Sequence, residues 1–118
     1  MQYLLLVYTD ESAGPAPDSA EEEVMWVAHE DFSRSMIRAG YMVAGRALHP
    51  SDTATTVRRR DGATLTADGP AAETTEQLAG FYLVDADHLD EAIEMASRIP
   101  CSGYGTIEVR PVVKLAEA

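Results

Sequence analysis

Basic residues are scarce in this 118-residue chain. Nine Lys and Arg stand against 20 Asp and Glu, a formal net charge of −11. Nucleic acid and anionic membranes attract proteins through clustered Lys and Arg, so a chain this acidic is expected to bind neither. Cysteine is scarcer still. Cys101 stands alone, which excludes an internal disulfide and with it a secreted disulfide scaffold. It follows Pro100 with no activating partner close by in sequence, and reads as a structural thiol. Long hydrophobic runs are missing too. MQYLLLVYTD has no basic segment and too short an apolar run for a signal peptide, and no stretch approaches the roughly 18 apolar residues of a membrane span. A soluble cytoplasmic protein is expected. No Gly-rich phosphate loop, Cys/His metal cluster or serine-nucleophile elbow occurs, so neither a cofactor nor a metal site is expected.

What is present suits one globular domain over residues 1–118: 46% of the chain is apolar, enough for a single core. Tyr3–Tyr8 is a continuous apolar run that reads as a strand buried on both faces. Residues 10–18 are turn formers. Ser19 and Glu22 form a capping box, and Val24, Ala28, Phe32 and Met36 make the apolar stripe of a helix from about Ala20 to Ala39, ended by Gly40. Trp26 and Ile37 fall on its opposite side. Tyr41–Leu48 reads as a strand with Gly45 as a bulge, and His49–Asp52 as a turn. Thr53–Arg60 and Ala63–Ala67 read as a hairpin around Asp61-Gly62. Phe81–Val84 is a further strand. Asp87 caps a second helix with Leu89, Ala92, Ile93, Ala96 and Ile99 on its apolar face. Thr106–Val113 is the last strand, and the tail Lys114–Ala118 is expected to fray.

The order β-α-β-β-β-β-α-β, with the central hairpin set aside, leaves a doubled β-α-β. That is a ferredoxin-like α+β fold, an antiparallel sheet with two helices on one face. No third helix is available for the other face, so a homodimer is expected, with the two sheets facing each other.

The stretch ADGPAAETTEQLAGFYLVD, residues 67–85, resembles the signature of the YCII-related family, in particular its DGPF subgroup, whose motif reads DGPFAETKE ahead of an apolar strand. Asp68, Gly69, Pro70, Ala72, Glu73, Thr74 and Glu76 match it, as do Gln77, Leu78, Gly80 and Phe81. The YLLLVY strand, the Ala39-Gly40 helix end, the ATTVR strand, the DG hairpin and Ile107–Pro111 are similar as well. Ala71 stands where the motif has Phe, and Thr75 where it has Lys. The resemblance implies a ferredoxin-like domain that dimerises as a dimeric α/β barrel. It also implies a His-Asp pair in a cleft as the active site, or, for members encoded beside sigma factors, a regulatory association with a sigma factor.

The candidate catalytic pair is His29 and Asp68. His29 lies one step off the helix stripe, on the shoulder of the buried face. A carboxylate beside it would fix its tautomer and favour the imidazolium. Asp68 also serves as a turn initiator, with Gly69 and Pro70 explained by turn geometry. Arg46, Glu73 and Tyr82 are the candidate substrate-binding residues, with Arg46 as the anion holder. Arg110 reads as a structural ion-pair partner, and Arg58-Arg59-Arg60 as an edge-protecting or acid-pairing cluster. The expected ligand is a small organic molecule. The chemistry is either cofactor-free acid–base catalysis of isomerase or lyase type, or non-catalytic binding in a regulatory module.

Overall fold

The computed structural model describes residues 1–101 and 104–115. Its elements are β1 (Gln2–Thr9), α1 (Ala20–Arg38), β2 (Met42–Ala47), β3 (Thr55–Arg60), β4 (Ala63–Asp68), β5 (Gln77–Asp85), α2 (Leu89–Ser97) and β6 (Gly105–Pro111), with a short 3-10 turn at Ser51–Thr53. The predicted order is the observed one. β2, β5, β1 and β6 lie side by side in that order, antiparallel throughout. Two helices pack on this sheet, an α+β architecture consistent with the ferredoxin-like expectation. β3 and β4 pair only with each other and form a separate two-stranded arm. Of the expected tail, residues 116–118 lie outside the described residues.

Alternation along β1 decides where the core sits. Tyr3, Leu5 and Val7 point to the helices and are buried, whereas Leu4, Leu6 and Tyr8 point the other way and are half-buried. The expectation of a strand buried on both faces is therefore corrected. Gly80, Tyr82 and Val84 of β5 share the inner face, and Phe32, Met36, Ala92, Met95, Ala96 and Ile99 close over it. Cross-strand pairing puts Leu83 beside Leu4 and Phe81 beside Leu6 on the outer face. No helix covers these four, which form an apolar patch.

Local signals account for most element ends. Ser19 caps α1 by accepting from the Glu22 amide (3.1 Å), while the Glu22 carboxylate takes the Asp18 amide. Gly40, at φ +81°, reverses the chain after α1, so the Tyr41 amide reaches the Met36 carbonyl at 3.0 Å. His88, not Asp87, caps α2, its ring accepting from the Glu91 amide at 3.3 Å. The buried face of α2 centres on Ala92, Met95 and Ala96, leaving Leu89 and Ile93 half-exposed. The irregularity in β2 falls at Val43 rather than Gly45. β5 starts four residues earlier than predicted because Gln77 pairs with Thr9 at the end of β1. Arg110 meets Glu108 at 2.7 Å on the surface.

Candidate functional site

The facing side of α1 is rotated from the predicted stripe. Val24 is 69% exposed, while Phe32 and Met36 are buried and Met25, Ala28, His29 and Ser33 are partly covered. His29 therefore sits well inside the face rather than on its shoulder. It looks across to Tyr82, which β5 aims inward between Gly80 and Val84. His29 Nδ1 lies 2.7 Å from the Tyr82 hydroxyl. Phe32 holds the tyrosine ring edge-on, with centroids 5.1 Å apart. Gly45 faces Tyr82 across β2, and a Cβ there would come within 3.0 Å of the ring. Glycine at this position leaves the phenol its place.

Burial pushes the His29 imidazole below its ordinary pKa of 6.5, opposed by the Pro100 carbonyl, which favours a ring N–H. Burial pushes the Tyr82 phenol up. The Ser33 hydroxyl acts against that shift, and Cys101 adds to it. Near neutral pH both groups are therefore uncharged. The direction of their bond follows the histidine tautomer: with the imidazole proton on Nε2 the phenol donates to Nδ1. Such a pair has a base and an acid of neutral form within proton-transfer distance. Trp26 is 43% exposed, and its ring centroid lies 6.3 Å from that of His29. An aromatic surface thus adjoins the pair.

The other sequence-predicted residues lie elsewhere. Asp68 ends β4 and lines an open depression of about 640 Å³ with Glu73, Asp10, Glu11 and Asp52; His29 is not part of that lining. The turn after Asp68 is tied down by the Gly69 amide on the Ala54 carbonyl (2.7 Å) and by Thr56 Oγ1 on the Gly69 carbonyl (2.8 Å). Arg46 pairs across the strands with Phe81, so it stands on the face of the sheet opposite Tyr82 and His29. Its guanidinium returns to the Gly45 carbonyl at 2.6 Å. The structure thus brings His29 and Tyr82 together in one place, and Asp68 and Glu73 in another. A second open cleft, about 990 Å³, is lined by Tyr8, Glu76, Tyr104, Thr106 and Glu108 among others. Among the described residues no group of three His, Cys, Asp or Glu is placed to hold a metal ion, and no helix is long and apolar enough to cross a membrane.

Residues 1–116 match the YCII-related domain. The chain belongs to the YCII-related family. An uncharacterized protein of Rhizobium meliloti is 39% identical over 114 residues, covering 95% of this chain and 92% of its own.

For this YCII-related chain, Ser33 and Pro100 are site residues that the sequence reading missed. Ser33 follows His29 by four positions, so helical spacing already put the two on one face. Pro100 carried no such signal, because it acts on the His29 pKa from beyond α2, 71 residues along the chain.

The depressed His29 pKa has a definite consequence for stability. Below 6.5 the unfolded chain protonates His29 while the folded chain still resists, so the unfolded state binds more protons and stability falls as pH falls. The contribution is complete above pH 6.5 and is lost as pH drops through the folded-state value. Denaturant melts between pH 7.5 and 5 should show this loss, and His29→Gln should flatten it. Asp10, lowered by bonds from the Ser12 hydroxyl and amide, acts in the same direction only in the carboxylate range, so the two windows separate.

Proposed function

We propose that this YCII-related protein, of the DGPF type, is a homodimer that binds a small organic molecule beside His29 and Tyr82 and moves a proton on it without a cofactor, as an isomerase or lyase. The observation that carries the reading is the 2.7 Å bond between two buried or half-buried groups. In this reading Tyr82 takes the orienting part first assigned to Asp68. His29, held neutral, is the base and acts through Tyr82: the phenol oxygen takes the ligand's proton as its own proton passes to Nδ1, and the reverse transfer returns a proton to the ligand, while Trp26 supports the ligand's apolar side.

The dimer is supported by shape. The chain measures 46 × 45 × 19 Å with a radius of gyration of 16.1 Å, against about 13.5 Å for a compact chain of this length. It exposes 8166 Å², against about 6,300 Å² for a compact monomer of its mass. Facing sheets would cover Leu4, Leu6, Phe81 and Leu83 and remove part of that excess.

The test is a thermal-shift screen of a metabolite library against the wild type, Tyr82→Phe and His29→Gln. A ligand that raises the wild-type melting temperature should bind each variant at least 10-fold more weakly. Equal binding by all three proteins would reject the site.

A second reading is favoured by the partner of His29, since the Tyr82 hydroxyl already engages its ring. A ring so engaged suits a binding module, including one that works with a sigma factor. A partner retained in pull-downs by His29→Ala and Asp68→Ala would support this reading over the catalytic one.

A further inference from the structure

We infer that the β3–β4 arm is a clasp that grips a second copy of this chain. The inference rests on the homodimer reading and adds a contact outside the facing sheets. A two-stranded hairpin has no core of its own and is marginal in water without something to pack on. This arm is such a hairpin. Of its strand residues, only Thr56 is less than exposed. Asp61 and Gly62, at φ 50° and 78°, give it a tight turn whose twist matches that of the strands. Its base is closed by the bond from the Gly69 amide to the Ala54 carbonyl, and Arg58 reaches the Ala71 carbonyl just beyond β4 at 3.2 Å. The arm is therefore a closed hairpin, and strands of six residues give it a reach of about 20 Å.

Its surface fits an acidic partner with apolar spots. Val57 is 61% exposed and Leu65 52% exposed. Val57 pairs with Thr66 and Leu65 with Arg58, so each face of the arm carries one large apolar side chain. Three consecutive arginines lie beside them. None meets a carboxylate among the described residues: Arg58 bonds the Ala71 carbonyl, Arg59 the Thr64 hydroxyl and Arg60 the Arg59 carbonyl. The acid-pairing considered for this cluster is thus absent among the described residues. The arm holds three bases and two acids, so of nine bases and 20 acids in the chain, six and 18 lie outside it. A basic arm on an acidic body is complementary to another copy of that body. The excess of exposed surface, about 1,900 Å² over a compact monomer, is within the amount each partner of an obligate homodimer buries. The projecting arm accounts for part of it.

Sedimentation equilibrium at 50 and 500 mM salt tests the clasp with three variants. Arg58→Glu/Arg60→Glu should raise the dimer dissociation constant at least 10-fold at 50 mM, and by much less at 500 mM, where the charges are screened. Val57→Ser/Leu65→Ser should raise it about 10-fold at both salts. Leu6→Glu, on the outer sheet face, should separate the subunits regardless. Dimer constants within twofold of wild type for both arm variants would overturn the clasp, while separation by Leu6→Glu would leave the facing-sheet dimer standing. A wild type that stays monomeric at 100 μM would remove both. Circular dichroism melts of the two arm variants guard against unfolding, since the arm contributes nothing to the core.

Discussion

Leu5→Ala should lower folding stability by about 3 kcal/mol and the melting temperature by roughly 10–15 °C. Leu5 is fully buried. It lies on the inner face of the second strand from the sheet edge, flanked by Tyr82 on β5 and Val109 on β6. Truncation removes three carbons, a methine and its two methyls, from the layer between sheet and helices. The neighbours on either side are held by sheet hydrogen bonds, which limits collapse into the space. The expected value therefore lies within the range of about 2–5 kcal/mol for leucine truncation. Urea melts give the answer. A loss under 1 kcal/mol would mean that the inner face of β1 is not the core.

The next residue gives the opposite result. Leu6→Glu should leave the monomer's stability within about 1 kcal/mol but raise the dimer dissociation constant at least 100-fold. Leu6 stands on the outer face, between Phe81 of β5 and Glu108 of β6. In the single chain that face is half-open, so the new carboxylate keeps its water. In a facing-sheet dimer it would be desolvated beside Glu108, whose carboxylate already holds Arg110 at 2.7 Å, an arrangement that costs several kcal/mol per buried charge. Light scattering behind a sizing column reads the result. An unchanged dimer would place the subunit contact elsewhere, and an unfolded variant would contradict the assignment of Leu6 to the open face. Two adjacent leucines of one strand thus distinguish the core from the contact of the proposed dimer.

Much of the fold was legible because its signals are local. Ser19 and Glu22 mark a helix start, Gly40 a helix stop and Asp61-Gly62 a hairpin, and each needs only neighbouring residues to act. The element order followed from these. Tertiary contacts decided what was misread. Val24 has the polarity and spacing of a core residue, but the tilt of α1 on the sheet turns it to solvent. Gln77–Gly80 carries little strand signal of its own and is extended because Thr9 and its neighbours pair with it.

The candidate site shows the same division. His29 and Tyr82 were both named from the sequence, yet their union was not, because 53 residues separate them. The alternation Gly80, Tyr82, Val84 was enough to aim Tyr82 inward. The same parity argument, applied to Arg46 opposite Phe81, would have put that arginine on the far face. Asp68 drew attention through its turn motif, and the turn is what its neighbours Gly69 and Ala54 demonstrably build.

The claim at the centre of this account is that Tyr82, in a dry setting, is the working partner of His29. A nitrogen and proton NMR titration of the His29 ring in the folded protein addresses it directly. The expected result is a midpoint below 6.5, with the neutral ring protonated on Nε2 and Nδ1 acting as acceptor. A midpoint above 6.5, the direction in which a carboxylate such as Asp68 would move it, would contradict the pairing and return the site to a histidine–aspartate pair.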